Sequence, residues 1–181
     1  MNKKLIIALF AVAVVAVLAF AACAPDIPGE TPQDVLSLYD GVKNAKSATQ
    51  VITVKNGTDE VAKETLNYNF ETNKVEITRK TLNGSDASEL YTTTTETKDI
   101  TGRNTAKLTA SLLKDVNKTE TTLTAKVANA NLNEVFGIAA TSVSGDATVT
   151  LVAESSHITK ITVSYTSANG NAVEIVTTYA Y

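Results

Sequence analysis

Apolar residues recur at every second position through the last third of the chain. Ala147, Val149, Leu151 and Ala153 form one such series, Ile161, Val163 and Tyr165 a second, and Val173, Ile175, Thr177, Tyr179 and Tyr181 a third. Side chains of a strand point to opposite faces in turn, so this period builds strands buried on one face. Turn residues separate the three: Glu154-Ser155-Ser156-His157 and Ala168-Asn169-Gly170-Asn171. Connections this short join only antiparallel strands, because a parallel pair needs a crossover of a dozen residues or more. The sequence therefore predicts a C-terminal antiparallel meander and argues against a parallel sheet.

The same period appears earlier in the chain. Residues 50–55 hold Val51, Ile52 and Val54, and Asn56-Gly57 is a hairpin signal. Ala62, Leu66, Tyr68 and Phe70 then alternate with Lys63, Thr65, Asn67 and Asn69. Thr72-Asn73 reads as a turn, and Val75, Ile77 and Leu82 as part of a more polar strand. Asn83-Gly84-Ser85-Asp86 reads as the next turn, followed by a threonine-dominated strand over residues 88–98. Thr92 to Thr95 form one short run without a fixed repeat, which fits an exposed sheet face better than an ice-binding array. Threonine, valine, isoleucine and tyrosine suit pleated, half-buried surfaces, and proline is absent after residue 32.

Three segments break the alternation. Thr31 as cap, Pro32 at the first helical position and Asp34 near the positive end predict a helix over residues 32–46. Val35, Leu38, Tyr39, Val42 and Ala45 would be its apolar face. After a loop at 99–104, residues 109–114 predict a short helix near Leu112, and residues 119–127 return to alternation. Asn131-Leu132-Asn133-Glu134 is a capping-box-like start, Gly137 a natural stop, and Leu132, Val135 and Phe136 the apolar side between them. The fold class is therefore mainly β with some α: a curved antiparallel sheet or incomplete β-barrel, an N-terminal helix and one or two short helices. A β-sandwich of adhesin or immunoglobulin type is the alternative.

The first twenty-two residues carry a different message. Lys3 and Lys4 form a basic start, and no charge follows until after Ala22. This is the layout of a secretory signal, basic then apolar then small. Ala21-Ala22-Cys23 resembles the lipobox of bacterial lipoproteins, with Phe20 where leucine is usual. The resemblance implies a diacylglycerol on the Cys23 sulfur and cleavage just before it. Ordinary secretion with cleavage after Ala21, and an uncleaved N-terminal anchor, stand beside that reading. Cys23 is the chain's only cysteine, so no partner within the chain awaits it. Residues 24–30, with Pro25, Pro28 and Gly29, form a tether reaching roughly 20–25 Å when extended. The organisation expected is a cleaved signal at 1–22, a lipid-anchored tether at 23–30 and one domain at 31–181, held on the extracytoplasmic face of a cell membrane.

Removing the signal leaves 159 residues, enough for one core without disulfides or metal. It also leaves 14 basic side chains against 19 acidic. That balance argues against nucleic acid and against polybasic adhesion to lipid. A chain with one His, one Cys and no Trp has little catalytic vocabulary, and no phosphate loop or nucleophile elbow is present. Cysteine–histidine zinc ligation is excluded by count, and Asp59-Glu60 offers too few oxygens for calcium. His157, in a predicted turn, reads as a surface residue. No catalytic residue, metal or cofactor is expected, and the domain is expected to be a monomer.

The order of elements, with the run from Asn131 to Gly137 before the last strands, is similar to the LolA-like family of envelope lipoproteins and lipid carriers. The resemblance spans residues 31–181 and rests on no specific motif. It implies a curved, incomplete barrel around helices with an apolar cavity for acyl chains. Tyr68, Phe70, Phe136 and Tyr165 are the aromatic residues placed to line such a pocket. Two binding functions compete: a carrier of lipid or another apolar ligand, and a surface module recognising protein or glycan. An enzyme is the weakest reading.

Overall fold

The computed structural model describes residues 34–82, 91–100 and 108–181. The signal, Cys23, the tether, Thr31 and Pro32 lie outside the described residues, as do the turn at Asn83, the start of the threonine strand and most of the loop at 99–104.

Among the described residues, nine strands build one sheet: β1 (Ser47–Asn56), β2 (Asp59–Asn69), β3 (Lys74–Leu82), β4 (Tyr91–Asp99), β5 (Leu113–Lys118), β6 (Thr122–Val127), β7 (Val143–Glu154), β8 (His157–Ser167) and β9 (Ala172–Ala180). Their order is β4-β3-β2-β1-β9-β8-β7-β6-β5, and every neighbouring pair is antiparallel. Two meanders are thus zipped together by the first strand and the last, from Ala48 opposite Tyr179 to Val54 opposite Val173. The expected curved antiparallel sheet is present, and it does not close.

Parity explains the open seam. With nine strands in antiparallel succession, β4 and β5 point the same way. Joining them would take a parallel pairing, and their connection must first travel back along the sheet. Of the residues between them that the structure describes, Leu108 is buried and Ile100, Ala110 and Leu112 pack against the core. Both seam strands carry features that discourage edge pairing. Glu96 and Lys98 of β4 face inward, opposite Ile77 and Val75. β5 loses register between Lys114 and Asn117, with Asp115 at φ 50°.

The inner face holds the core. Ile52, Val54, Leu66, Ile77, Leu123, Val127, Val149, Leu151, Ile161 and Ile175 are all buried. The N-terminal helix lies over β8, β7 and β6. It is a 3-10 helix, Val35–Asn44, and not the α-helix that the sequence predicts. Its tighter turn of three residues aligns Leu36, Tyr39, Val42 and, just past its end, Ala45 on one ridge, all buried. Leu36, out of phase with a period of 3.6, is therefore in the core, while Leu38 is only half-buried. Asp34 Oδ1 caps the helix by accepting from the Leu36 amide at 3.3 Å.

Other local expectations shift by a residue or change type. The short α-helix Leu132–Phe136 stops at Gly137, which adopts φ 64° and returns its amide to Asn133 O at 2.9 Å. The capping box is not made: a 3-10 turn, Asn129–Asn131, leads into this helix instead. The helix predicted at 109–114 is a single 3-10 turn, Ala110–Leu112, after which β5 begins. Leu113 is the only half-buried residue of β5 and the other five are exposed, so no alternation marked this strand. Asn56 pairs with Asp59, so the first hairpin turns on Gly57-Thr58, with Gly57 at φ 62°. Glycine at the first central position is the type II′ arrangement.

Candidate ligand-binding site on the concave face

The register places a run of polar side chains on the inner face beside the open seam. One row across the sheet reads Thr177, Gln50, Leu66, Ile77, Glu96, and the next Ile175, Ile52, Glu64, Arg79, Thr94. Leu66 and Ile77 are each 1% exposed and form an apolar floor. Glu64 and Gln50 are buried to 0% and 2%. Toward β4 burial gives way: Arg79 and Glu96 are partly exposed and Thr94 and Lys98 exposed. The inner face of β2–β4 thus runs from a buried interior to a charged, partly exposed rim.

Electrostatics tie the wall together. Arg79 Nε lies 2.5 Å from Glu64 Oε1, and its Nη1 contacts Glu96 Oε1. Lys98 Nζ is 3.1 Å from the same Glu96 oxygen. Burial pushes the Glu64 carboxyl above its ordinary value, although the Arg79 guanidinium pulls the other way. Hydrogen bonds from Arg79 and Lys98 hold partly exposed Glu96 below its ordinary value. One guanidinium therefore bridges a buried and a partly exposed carboxylate.

Tyrosines and amides line the interior beyond the pair. Gln50 Nε2 donates to Thr177 Oγ1 at 3.1 Å. Tyr39 and Tyr179 are fully buried, and burial raises both phenols. Tyr68 is raised by burial and by the Glu64 carboxylate. Gln50 Oε1 and Glu64 Oε2 have no hydrogen-bond partner among the described residues.

The four aromatic residues expected to line one pocket fall into separate places. Tyr68 is buried opposite Ala48 and stacks on Phe70, with ring centroids 5.9 Å apart and planes at 16°. Tyr165 is half-buried and faces Val173, whose partner on β1 is Val54. Six residues of β1 separate Ala48 from Val54, roughly 20 Å along the strand. Burial brings the Tyr165 phenol up to about 12. Phe136 is buried on the helix that links β6 to β7, a connection leaving Val127 opposite Ala147, at the Tyr165 end. The register thus divides the four between the two ends of the sheet.

His157 sits beside the β7–β8 turn, as its sequence context implies. Its Nδ1 lies 2.9 Å from Ser155 O and its ring 4.4 Å from the Tyr181 ring. Among the described residues no group of three His, Cys, Asp or Glu could hold a metal ion. On the outer face an open depression of about 430 Å³ runs over Thr53, Lys55, Asp146, Thr148 and Glu174. Its lining is largely polar and it has no buried acceptor, so the concave wall is the stronger site.

Glu64, Arg79 and Gln50 carried a signal in the sequence that was easy to pass over. Glu64 is in phase with Ala62, Leu66 and Tyr68, Arg79 with Val75 and Ile77, and Gln50 with Ile52 and Val54. A polar residue at an inward position of an alternating strand marks a buried polar group.

No protein-family model matches the chain, and no curated protein matches it. Among solved structures it is similar to two redesigned β barrels. One is mFAP1 bound to DFHBI, 14% identical over 74% of this chain and 93% of that one, with a TM-score of 0.25. The other is b11L5F_LGL, 8% identical over 80% and 93%, also with a TM-score of 0.25. The dehydratase domain from the terminal module of the rifamycin polyketide synthase is 8% identical over 81% and 79%, with a TM-score of 0.23. These likenesses are too distant to bear on function.

Proposed function

We propose that this chain is an extracytoplasmic lipoprotein, held on a membrane through lipid on Cys23, whose domain binds a lipid or another apolar ligand without transforming it. The observation that carries the binding half is the inner face of β2–β4 beside the unclosed seam, where buried polar groups sit among apolar ones. A buried apolar floor at Leu66 and Ile77 meets a solvent-facing rim of Arg79, Glu96 and Lys98. Ligand sites are concave and mostly apolar, with a few placed polar groups that orient the ligand. The anchoring half rests on Lys3, Lys4, the apolar run and Ala21-Ala22-Cys23. Two acyl chains on Cys23 give a far firmer hold than one, since each buried methylene adds about 0.8 kcal/mol. The tether keeps the domain within roughly 25 Å of the bilayer.

Mass spectrometry of the full chain extracted from membranes tests both halves. Denatured, the protein is expected to begin at Cys23 and carry covalent lipid, and Cys23→Ala to abolish that modification. Under native conditions a further non-covalent lipid is expected on the same chain. A mature N-terminus at or before Ala22 without lipid mass refutes the anchor. A bare native mass, with no saturable uptake of added single-chain amphiphiles, refutes the binder and favours surface recognition of protein or glycan.

A further inference from the structure

We infer that the ligand presents a hydrogen-bond-donating head, an amine, amide or hydroxyl, to Gln50 Oε1 and Glu64 Oε2 inside the sheet, and that anionic heads are disfavoured. This inference deepens the binding reading above and rests on it.

The unmatched groups decide the chemistry. Gln50 and Glu64 are both more than nine-tenths buried, and the oxygens without partners among the described residues are acceptors. An acceptor buried without a donor costs about 1–3 kcal/mol, so the group that completes this site must donate. The orientation of the Gln50 amide follows from its neighbour. Gln50 Nε2 donates to Thr177 Oγ1 at 3.1 Å, so the amide oxygen is turned away from Thr177. Gln50 and Glu64 stand on adjacent strands of the same face, one residue pair out of step: Gln50 is opposite Leu66 and Ile52 opposite Glu64. Diagonal neighbours of this kind are about 7–8 Å apart at Cα, a span that one small polar head bridges.

Charge points the same way. Glu64 Oε1 already meets Arg79, and Arg79 also meets Glu96, so this guanidinium is shared between two carboxylates. An anionic head would have to compete with both for Arg79 and would lie against an uncovered carboxylate oxygen. A donating head meets Oε2 without disturbing either ion pair. Leu66 and Ile77 pack in the core beside these acceptors, and the stacked Tyr68–Phe70 pair, with Phe70 half-buried, lies along the same wall to meet the apolar body.

Three probes of equal chain length test this on the full chain in detergent by native mass spectrometry: dodecylamine, lauramide and laurate. Dodecylamine and lauramide are expected to bind at least tenfold more tightly than laurate. Glu64→Gln is expected to remove at least fivefold of the dodecylamine affinity and to leave lauramide within twofold, because the new amide oxygen still accepts. Gln50→Leu is expected to weaken both by at least fivefold. Laurate binding as tightly as the other two overturns the inference while leaving an apolar-ligand binder in place. Binding by none of the three overturns the binder itself, and the inference with it. The wild-type ranking alone decides between these outcomes if a variant does not fold.

Discussion

Replacing Arg79 by methionine strips the buried Glu64 of its counter-charge while keeping most of the side chain's bulk. Glu64 has no exposed surface, and Arg79 Nε is the cation in contact with it at 2.5 Å. Removing one partner of a buried pair costs about 3–5 kcal/mol when the remaining charge cannot escape. Here it can escape by taking up a proton. From an ordinary value of 4.5, protonation at pH 7 costs at most about 3.4 kcal/mol, and at pH 5 about 0.7 kcal/mol, at 1.36 kcal/mol per pH unit. Arg79→Met is therefore expected to destabilise the domain by about 2–3 kcal/mol at pH 7 and by under about 1 kcal/mol at pH 5. For a domain of this size that is a fall in Tm of roughly 5–10 °C at pH 7. Adding Glu64→Gln should recover most of the loss, because the amide carries no charge to strand. Thermal and urea unfolding followed by circular dichroism at the two pH values reads the effect. A loss below about 0.5 kcal/mol at pH 7 would refute the buried-pair reasoning, as would an equal loss at both pH values or no recovery in the double variant.

Three further outcomes follow from the same geometry. Because burial raises the Glu64 carboxyl, the folded state holds its proton more tightly than the unfolded chain; wild-type stability relative to Glu64→Gln should fall as pH rises from 4.5 through the raised value, and a difference that grows with pH contradicts the assignment. Leu36→Ala should cost about 2–5 kcal/mol and Leu38→Ala less than half as much, since the 3-10 ridge buries the first and leaves the second half-covered; the opposite ranking in urea unfolding would restore an α-helical face. Ser155 and Ser156 form the two-residue β7–β8 turn with φ of 50° and 67°, a type I′ shape that favours glycine at its second position, so Ser156→Gly should raise stability by up to about 1 kcal/mol, and a lowered Tm would count against strain there.

The strands of the C-terminal meander were legible because one side of each is covered. Val173, Ile175, Thr177 and Tyr179 face the core at every second position, and that alternation survives whatever the neighbouring strand is. Gly137 was legible as a helix stop for an equally local reason, its left-handed conformation. β5 was not, because its exposed edge position imposes no apolar period. Nor was the 3-10 winding of Val35–Asn44: Tyr39, Val42 and Ala45 satisfy a period of 3.6 nearly as well as one of 3.0.

What the chain determines by itself is local: which residues alternate, where turns fall, and the signal-like start that ends at Cys23. What tertiary structure alone decides is which of those segments meet. The pairing of β1 with β9 joins Gln50 to Thr177 across 127 positions of sequence. That register sets Glu64 beside Arg79 and parts Tyr68 from Tyr165. No window of sequence encodes such a match, because it follows from packing two meanders into one curved sheet with an odd number of strands. The same parity leaves the seam between β4 and β5 open, beside the wall where Glu64, Arg79, Glu96 and Lys98 face inward.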